Sequence, residues 1–136
     1  MDTSETYIKM CDCEEIQGQW ELEIGDFFCD DEEIQVVWYE GMESREQINR
    51  RREYYKNKMQ PKWLPRQDQI QDMIGKDLLY KPHEESFVYD TVCDLYHLYG
   101  EAQFNTDMET WEQLWLAFYM HEKHSKIWDG EKWIKK

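Results

Sequence analysis

The clearest periodic patterns along the chain are helical. Val88, Val92, Leu95, Tyr96 and Tyr99 recur at i, i+4, i+7, i+8 and i+11, one apolar stripe, and Gly100 supplies a stop. Trp111, Leu114, Trp115 and Phe118, joined by Leu116, Ala117, Tyr119 and Met120, make the next helix apolar nearly all round, with Thr106 and Glu109 as its capping-box signal. It should be the most buried element, with Trp115 and Phe118 close to inaccessible. Further upstream, Tyr7 to about Gln17 reads as one helix, with Ile8, Cys11, Glu15 and Ile16 at helical spacing and Gly18 at its end. Ser44 and Gln47 form a capping box for a helix with a thin stripe of Ile48, Tyr55 and Met59. In residues 62–75, Pro65 suits a first helical position, Ile70, Met73 and Ile74 share a face, and Gly75 suits a left-handed stop.

Period-two patterns appear at both ends of the chain. Residues 25–41 hold two β-rich segments around an acidic turn, with Ile34, Val36 and Trp38 on one face and Val37 and Tyr39 on the other, which predicts a hairpin whose central strand is buried on both sides. Asp129-Gly130, between aromatic-bearing segments, is the strongest short hairpin signal. A two-residue turn there would pair Trp128 with Glu131 and Lys126 with Trp133, placing both tryptophans on one face. The predicted order is α-β-β-α-α-α-α-β-β. This is an α+β fold, with a small antiparallel sheet from the N- and C-terminal hairpins packed with about five helices. One domain over residues 1–136 is expected, with residues 1–5 frayed.

Composition supports folding: 136 residues with 15% aromatic content, seven Trp and nine Tyr supply a core, while 34% charge makes a very polar surface. No signal-peptide pattern opens the chain, and the longest wholly apolar run, residues 115–120, is far short of a membrane span, so a cytoplasmic protein without a membrane partner is expected. Cys11, Cys13, Cys29 and Cys93 follow neither a disulfide framework nor a zinc knuckle. On one helix Cys11 and Cys13 would point about 160° apart. Reduced, mostly buried thiols are the simpler reading. His121 and His124, three apart near a helix end, are compatible with two metal ligands, but no third ligand is placed and the helix dipole alone favours histidine there. No metal and no cofactor are expected.

Charge is the most informative feature. Residues 1–44 hold 14 of the 30 acidic groups and one basic group, Lys9, a net −13; residues 45–66 carry +6, residues 67–120 carry −9 and residues 121–136 carry +2. Fields of this kind act on association and partner choice rather than on fold.

A resemblance to known proteins follows from particular stretches. The opening YIKMCDCEEIQ, the GDFF turn into EIQVVWYEG, the segment WLPRQDQIQDMI and the closing TWEQLWLAFYMHEKHSKIWDGEKWI resemble a family of small bacteriophage and prophage proteins of Gram-positive bacteria (Firmicutes). The similarity spans nearly the whole chain, and WLPRQDQIQ is its most distinctive part. It implies a phage origin and action in the cytoplasm of an infected host cell. It brings no catalytic or binding residue with it. The acidic load before Met42 and the Arg50 to Arg52 island are stronger than the family pattern suggests and point to specialisation toward a partner.

No catalytic role is expected. The pairs Asp30 with Asp31 and Glu32 with Glu33 lack the ligand spacing and glycine of an EF-hand loop. No serine or cysteine sits in a nucleophile elbow beside His83, His97, His121 or His124, and no glycine-rich phosphate cradle is present. Binding functions remain. In the first, Asp26, Asp30, Asp31, Glu32, Glu33, Glu40 and Glu43 imitate the phosphate array of a nucleic acid and occupy the basic surface of a host nucleic-acid-binding or defence protein, as anti-restriction and anti-CRISPR inhibitors do; such attraction is screened over about 8 Å in physiological salt. The competing reading is that these acids only keep an aromatic-rich protein soluble. In the second, Arg50, Arg51 and Arg52 with Tyr54 and Tyr55 bind an anion or nucleotide, against the repulsion expected from a net −14, which argues against direct nucleic-acid binding. In the third, the +6 segment docks on the −13 segment of the same or another copy, giving a homo-oligomeric module of phage replication or assembly.

Overall fold

The computed structural model describes residues 1–21, 23–30, 33–37, 61–77 and 108–136, together with Arg50, Glu53, Cys93 and His97. The chain divides into two compact units, residues 1–10 with 66–136, and residues 11–65. The architecture is α+β as expected; four helices are bounded among the described residues, where about five were expected along the chain. The helix expected over 44–59, that over 88–100, Trp38, Tyr39 and Thr106 lie outside the described residues, except that Arg50, Glu53, Cys93 and His97 have helical backbone.

In the first unit, α1 (Glu5–Cys11) is capped by Ser4, whose Oγ accepts the Tyr7 N–H at 3.2 Å. Residues 1–5, expected to fray, are instead tied down by Asp2. Its Oδ2 accepts from Thr110 Oγ1 at 2.6 Å and from Gln113 Nε2 at 2.7 Å, and its Oδ1 accepts the Ser4 N–H at 2.8 Å. Burial alone would raise the Asp2 carboxyl, but these hydrogen bonds hold it below the usual carboxylate range.

The helix α3 (Gln67–Asp77) buries Ile70, Met73 and Ile74, the face expected, against α4 (Trp111–His124). Gly75 is not its stop: α3 runs through to Asp77, and Gly75 is not among the glycines in the left-handed region. The cap of α4 is Thr110, four residues beyond the expected Thr106; its Oγ1 accepts the Gln113 N–H, while Gln113 Oε1 accepts the Glu109 N–H. Trp115 to Met120 are buried without a break, as the all-round apolar pattern predicts. Trp111 departs from that pattern at 58% exposure, because it occupies the first helical position, before the packed turns begin. Tyr119 donates its hydroxyl to Asp77 Oδ2 at 2.5 Å, joining the last turn of α3 to α4.

The C-terminal hairpin, β4 (Lys126–Trp128) and β5 (Trp133–Lys135), pairs Trp128 with Trp133 and Lys126 with Lys135. The two-residue turn is thereby corrected to four residues, Asp129 to Lys132. The reason is local: Asp129 Oδ1 accepts the N–H groups of Glu131 and Lys132, Gly130 takes φ +106°, and the two indoles meet edge to face at 5.1 Å. Both tryptophans share a face, as expected, and Trp133 Nε1 donates to the Met10 carbonyl.

In the second unit the single helix expected over 7–17 is broken. Cys13 is extended at φ −144° and ψ 155°, and α2 (Glu14–Gln17) starts anew after it, so Cys11 and Cys13 do not share a helix. The strands are β1 (Phe27–Asp30), β2 (Glu33–Val36) and β3 (Lys62–Leu64), in the order β2-β1-β3. Two expectations fall with this order. The N- and C-terminal hairpins do not form one sheet, since the third strand beside β1 is β3. The strand buried on both faces is β1, where Phe28 and Cys29 are consecutive buried residues, whereas Glu33, Ile34 and Val36 of β2 are exposed. Residues 62–64 are a strand rather than a lead into a helix that Pro65 would start, in keeping with the extended bias of a residue before proline.

Candidate functional site: an acidic hairpin with one open edge

The hairpin of the second unit is set by three polar brackets. The first is Asp26, which is fully buried; its Oδ2 accepts from Trp20 Nε1 at 2.9 Å and from the Glu23 N–H at 2.8 Å. Asp26 therefore organises the loop before β1 and is removed from the set of partner-binding carboxylates in which the sequence placed it. The second is a bulge in which the Gly25 N–H donates to the Val37 carbonyl and the Val37 N–H to the Asp26 carbonyl, with Gly25 at φ +88°. Glu23 and Gly25 are thus pinned to the end of the hairpin.

The third bracket is Gln17. Its Oε1 accepts the Trp63 N–H at 2.8 Å, and its Nε2 donates to the Trp63 carbonyl at 3.0 Å and to the Cys11 carbonyl at 2.8 Å. The carboxamide acts as a one-residue strand and closes the outer edge of β3. Beneath it the Trp63 indole stacks nearly parallel on Trp20, with ring centroids 6.5 Å apart, and Trp20 also contacts Phe28 at 6.2 Å. The opposite edge, β2, carries no such cover: among the described residues it pairs with β1 alone.

The register fixes which groups that edge presents. Val37 N–H bonds to Asp26, so the mutually bonded pairs of β1 and β2 are Phe28 with Gln35 and Asp30 with Glu33. The outward N–H of Trp63, opposite Phe28 on the other side, agrees with this alternation. The N–H and C=O groups of Ile34 and Val36 consequently point outward from the sheet. Their side chains are 36% and 37% exposed, and Ile24, at the other side of the bulge, is 59% exposed. Glu21, Glu23 and Glu33 are exposed as well and Asp30 is half-buried; the alternation of the strand puts Glu33 on the face opposite Ile34 and Val36.

Of the acidic residues predicted to bind a partner, the structure places Asp30 and Glu33 together, directly opposite across the strands. Asp31, Glu32, Glu40 and Glu43 lie outside the described residues. Glu21, Glu23 and Ile24, exposed in the structure, were not among the residues named individually from the sequence. The acidic-apolar alternation of ELEIG at 21–25 was available as a signal, but only the bulge ties Glu23 and Gly25 to the hairpin. Of the predicted anion-binding set, Arg50 is exposed and Arg51, Arg52, Tyr54 and Tyr55 lie outside the described residues. Two other cations of that basic segment are engaged locally: Lys62 Nζ lies 2.6 Å from Asp12 Oδ2, and Arg66 Nε lies 3.1 Å from Asp68 Oδ1.

Other features of the described residues have structural roles. His121 has Nδ1 against Glu122 Oε1 and Nε2 against Lys136 Nζ, each at 2.9 Å, while the His124 ring lies edge-on to Tyr119 at 5.6 Å. No group of three His, Cys, Asp or Glu among the described residues is arranged to hold a metal ion. An open groove of about 230 Å³ at the start of α4 is lined by Met108, Glu109, Thr110, Trp111 and Leu114. No helix among the described residues is long and apolar enough to cross a membrane. No protein-family model, curated protein or solved structure matches the chain.

Proposed function

We propose that this chain is a non-catalytic acidic binding protein, phage-encoded and acting in the host cytoplasm, that captures and inhibits a host nucleic-acid-binding or defence protein through a basic surface of that protein. The reading is supported by one observation above all: Glu21, Glu23 and Glu33 and the apolar side chains of Ile24, Ile34 and Val36 are all exposed along one hairpin and the loop before it, a loop bracketed by buried Asp26. Carboxylates that served only solubility would not require apolar side chains to stay in water beside them, and exposed apolar groups next to charged ones suit a binding surface. The net −13 of residues 1–44 supplies long-range steering toward a positive partner, and the interspersed apolar groups supply contact.

The test is capture from a Gram-positive host lysate by the parent and by the variant Glu21→Gln/Glu23→Gln/Glu33→Gln. Amides nearly preserve shape at these exposed positions, so circular dichroism and melting should match the parent. The variant should lose a nucleic-acid-binding protein that the parent retains, and raised salt should release that protein from the parent. A variant that keeps every partner of the parent removes the acidic surface from the account.

A further inference from the structure

The two edges of the three-stranded sheet are treated differently, and the difference identifies how a partner is held. The outer edge of β3 is blocked, because the Gln17 carboxamide satisfies both main-chain groups of Trp63. The outer edge of β2 offers the N–H and C=O of Ile34 and of Val36, spaced two residues apart as a further strand would require. Natural sheets protect an edge with a covering group, a proline, a bulge or an inward charge. Among the described residues no covering group lies on β2 and the strand holds no proline; a bulge stands at its end, and the strand itself keeps two exposed β-branched residues on one face.

We infer that β2 is a strand-addition site for an extended, basic peptide segment of the partner protein, one that alternates apolar and Lys or Arg residues. In this mode main-chain hydrogen bonds give affinity and side chains at alternate positions give selectivity. The apolar residues of the segment lie beside Ile34 and Val36. Its cations meet Glu33 and Asp30 at one end of the strand and Glu21 and Glu23 at the other. The same charges disfavour a second copy as occupant, since pairing two β2 edges would bring two −13 segments together. This inference rests on the acidic-surface reading above and adds to it the backbone as the principal contact.

The alternation of the ladder provides a test that charge attraction alone does not pass. The probe is a synthetic Lys/Val-alternating octapeptide added to the ¹⁵N-labelled full chain, with amide hydrogen exchange read residue by residue. The Ile34 and Val36 N–H groups should become protected by at least about tenfold, whereas those of Glu33 and Gln35, already bonded to β1, should change little. The same peptide N-methylated at alternate residues, and a Glu/Val octapeptide, should each bind at least about tenfold more weakly. The variant Ile34→Pro removes an outward N–H and leaves the β1 ladder its bonds, so it should melt near the parent and lose the peptide. Should Ile34→Pro unfold the hairpin, the exchange pattern and the N-methylated peptide still decide. Binding that protects all four strand amides equally, or none, or that survives N-methylation, overturns strand addition; capture of the host protein lost on Glu21, Glu23 and Glu33 replacement would then still stand as a purely electrostatic contact.

Discussion

The two compact units reach stability by different routes. In the first, a helix that is buried from Trp115 to Met120 carries the core, and polar contacts such as Asp2 with Gln113 finish its ends. In the second, short strands of three or four residues lie around Trp20, Phe28 and Trp63, and their arrangement depends on two buried or half-buried polar groups, Asp26 and Gln17. A small sheet has little apolar area per residue to commit, so hydrogen-bonded brackets decide its shape. Among the described residues that same economy leaves one edge of the sheet unpaired and several apolar side chains exposed. Burial makes the first unit, and hydrogen bonding positions the exposed strand of the second.

The comparison breaks most readily at Trp115. Truncation of this side chain to Ala should cost about 3–5 kcal/mol, measured by urea unfolding, because it lies in the middle of the continuous buried run. A Trp115→Ala protein that melts within a degree or two of the parent would show that the first unit does not depend on α4 for its core.

For the second unit the expected weak point is polar. Gln17→Ala leaves the Trp63 N–H and C=O and the Cys11 C=O without their partner, and should cost about 2–3 kcal/mol, less than the Trp115 change but large for an amide at the surface of a sheet. It also uncovers the β3 edge, so light scattering should show more self-association than in the parent. Unchanged stability and a monodisperse sample would mean that the stacked indoles, not the brackets, hold this unit.

A smaller effect sharpens the contrast inside the first unit. Asp2→Asn should lower stability by about 1–2 kcal/mol at neutral pH, since the amide cannot accept from Ser4, Thr110 and Gln113 together. The folded carboxyl titrates below its ordinary range, so its contribution is present above that range and is lost as pH falls through the lowered value. The gap between parent and variant in denaturant melts should therefore close in acid. A gap that is constant from neutral pH to strongly acidic pH argues that Asp2 acts by shape alone.

The smallest change in stability is expected where the largest change in binding is expected. Replacing Glu21, Glu23 and Glu33 with Gln should alter the unfolding free energy by no more than about 0.5 kcal/mol, as these side chains are exposed. A marked stabilisation would indicate that mutual repulsion of the acids is sustained in the folded state, a cost that a binding surface tolerates and a mere solubility coat does not need.

What the sequence by itself determined is the part of the molecule governed by local periodicity and turn chemistry. The all-round apolar run of α4, the shared face of Ile70, Met73 and Ile74, and the presence, though not the length or register, of a hairpin turn at Asp129-Gly130 were legible, because each is specified by residues within a few positions of one another. Tertiary structure decided the rest. Gln17 finds Trp63 across 46 positions and Asp2 finds Gln113 across 111, and no spacing rule announces such partners. Asp26 reads as one more surface acid until Trp20 is seen to fold over it, and β2 reads as a buried strand until β3 takes the other side of β1. The acidic character of the surface belongs to composition, but which carboxylates face water, and which edge of the sheet stays open, follow from long-range pairing that only the folded chain brings about.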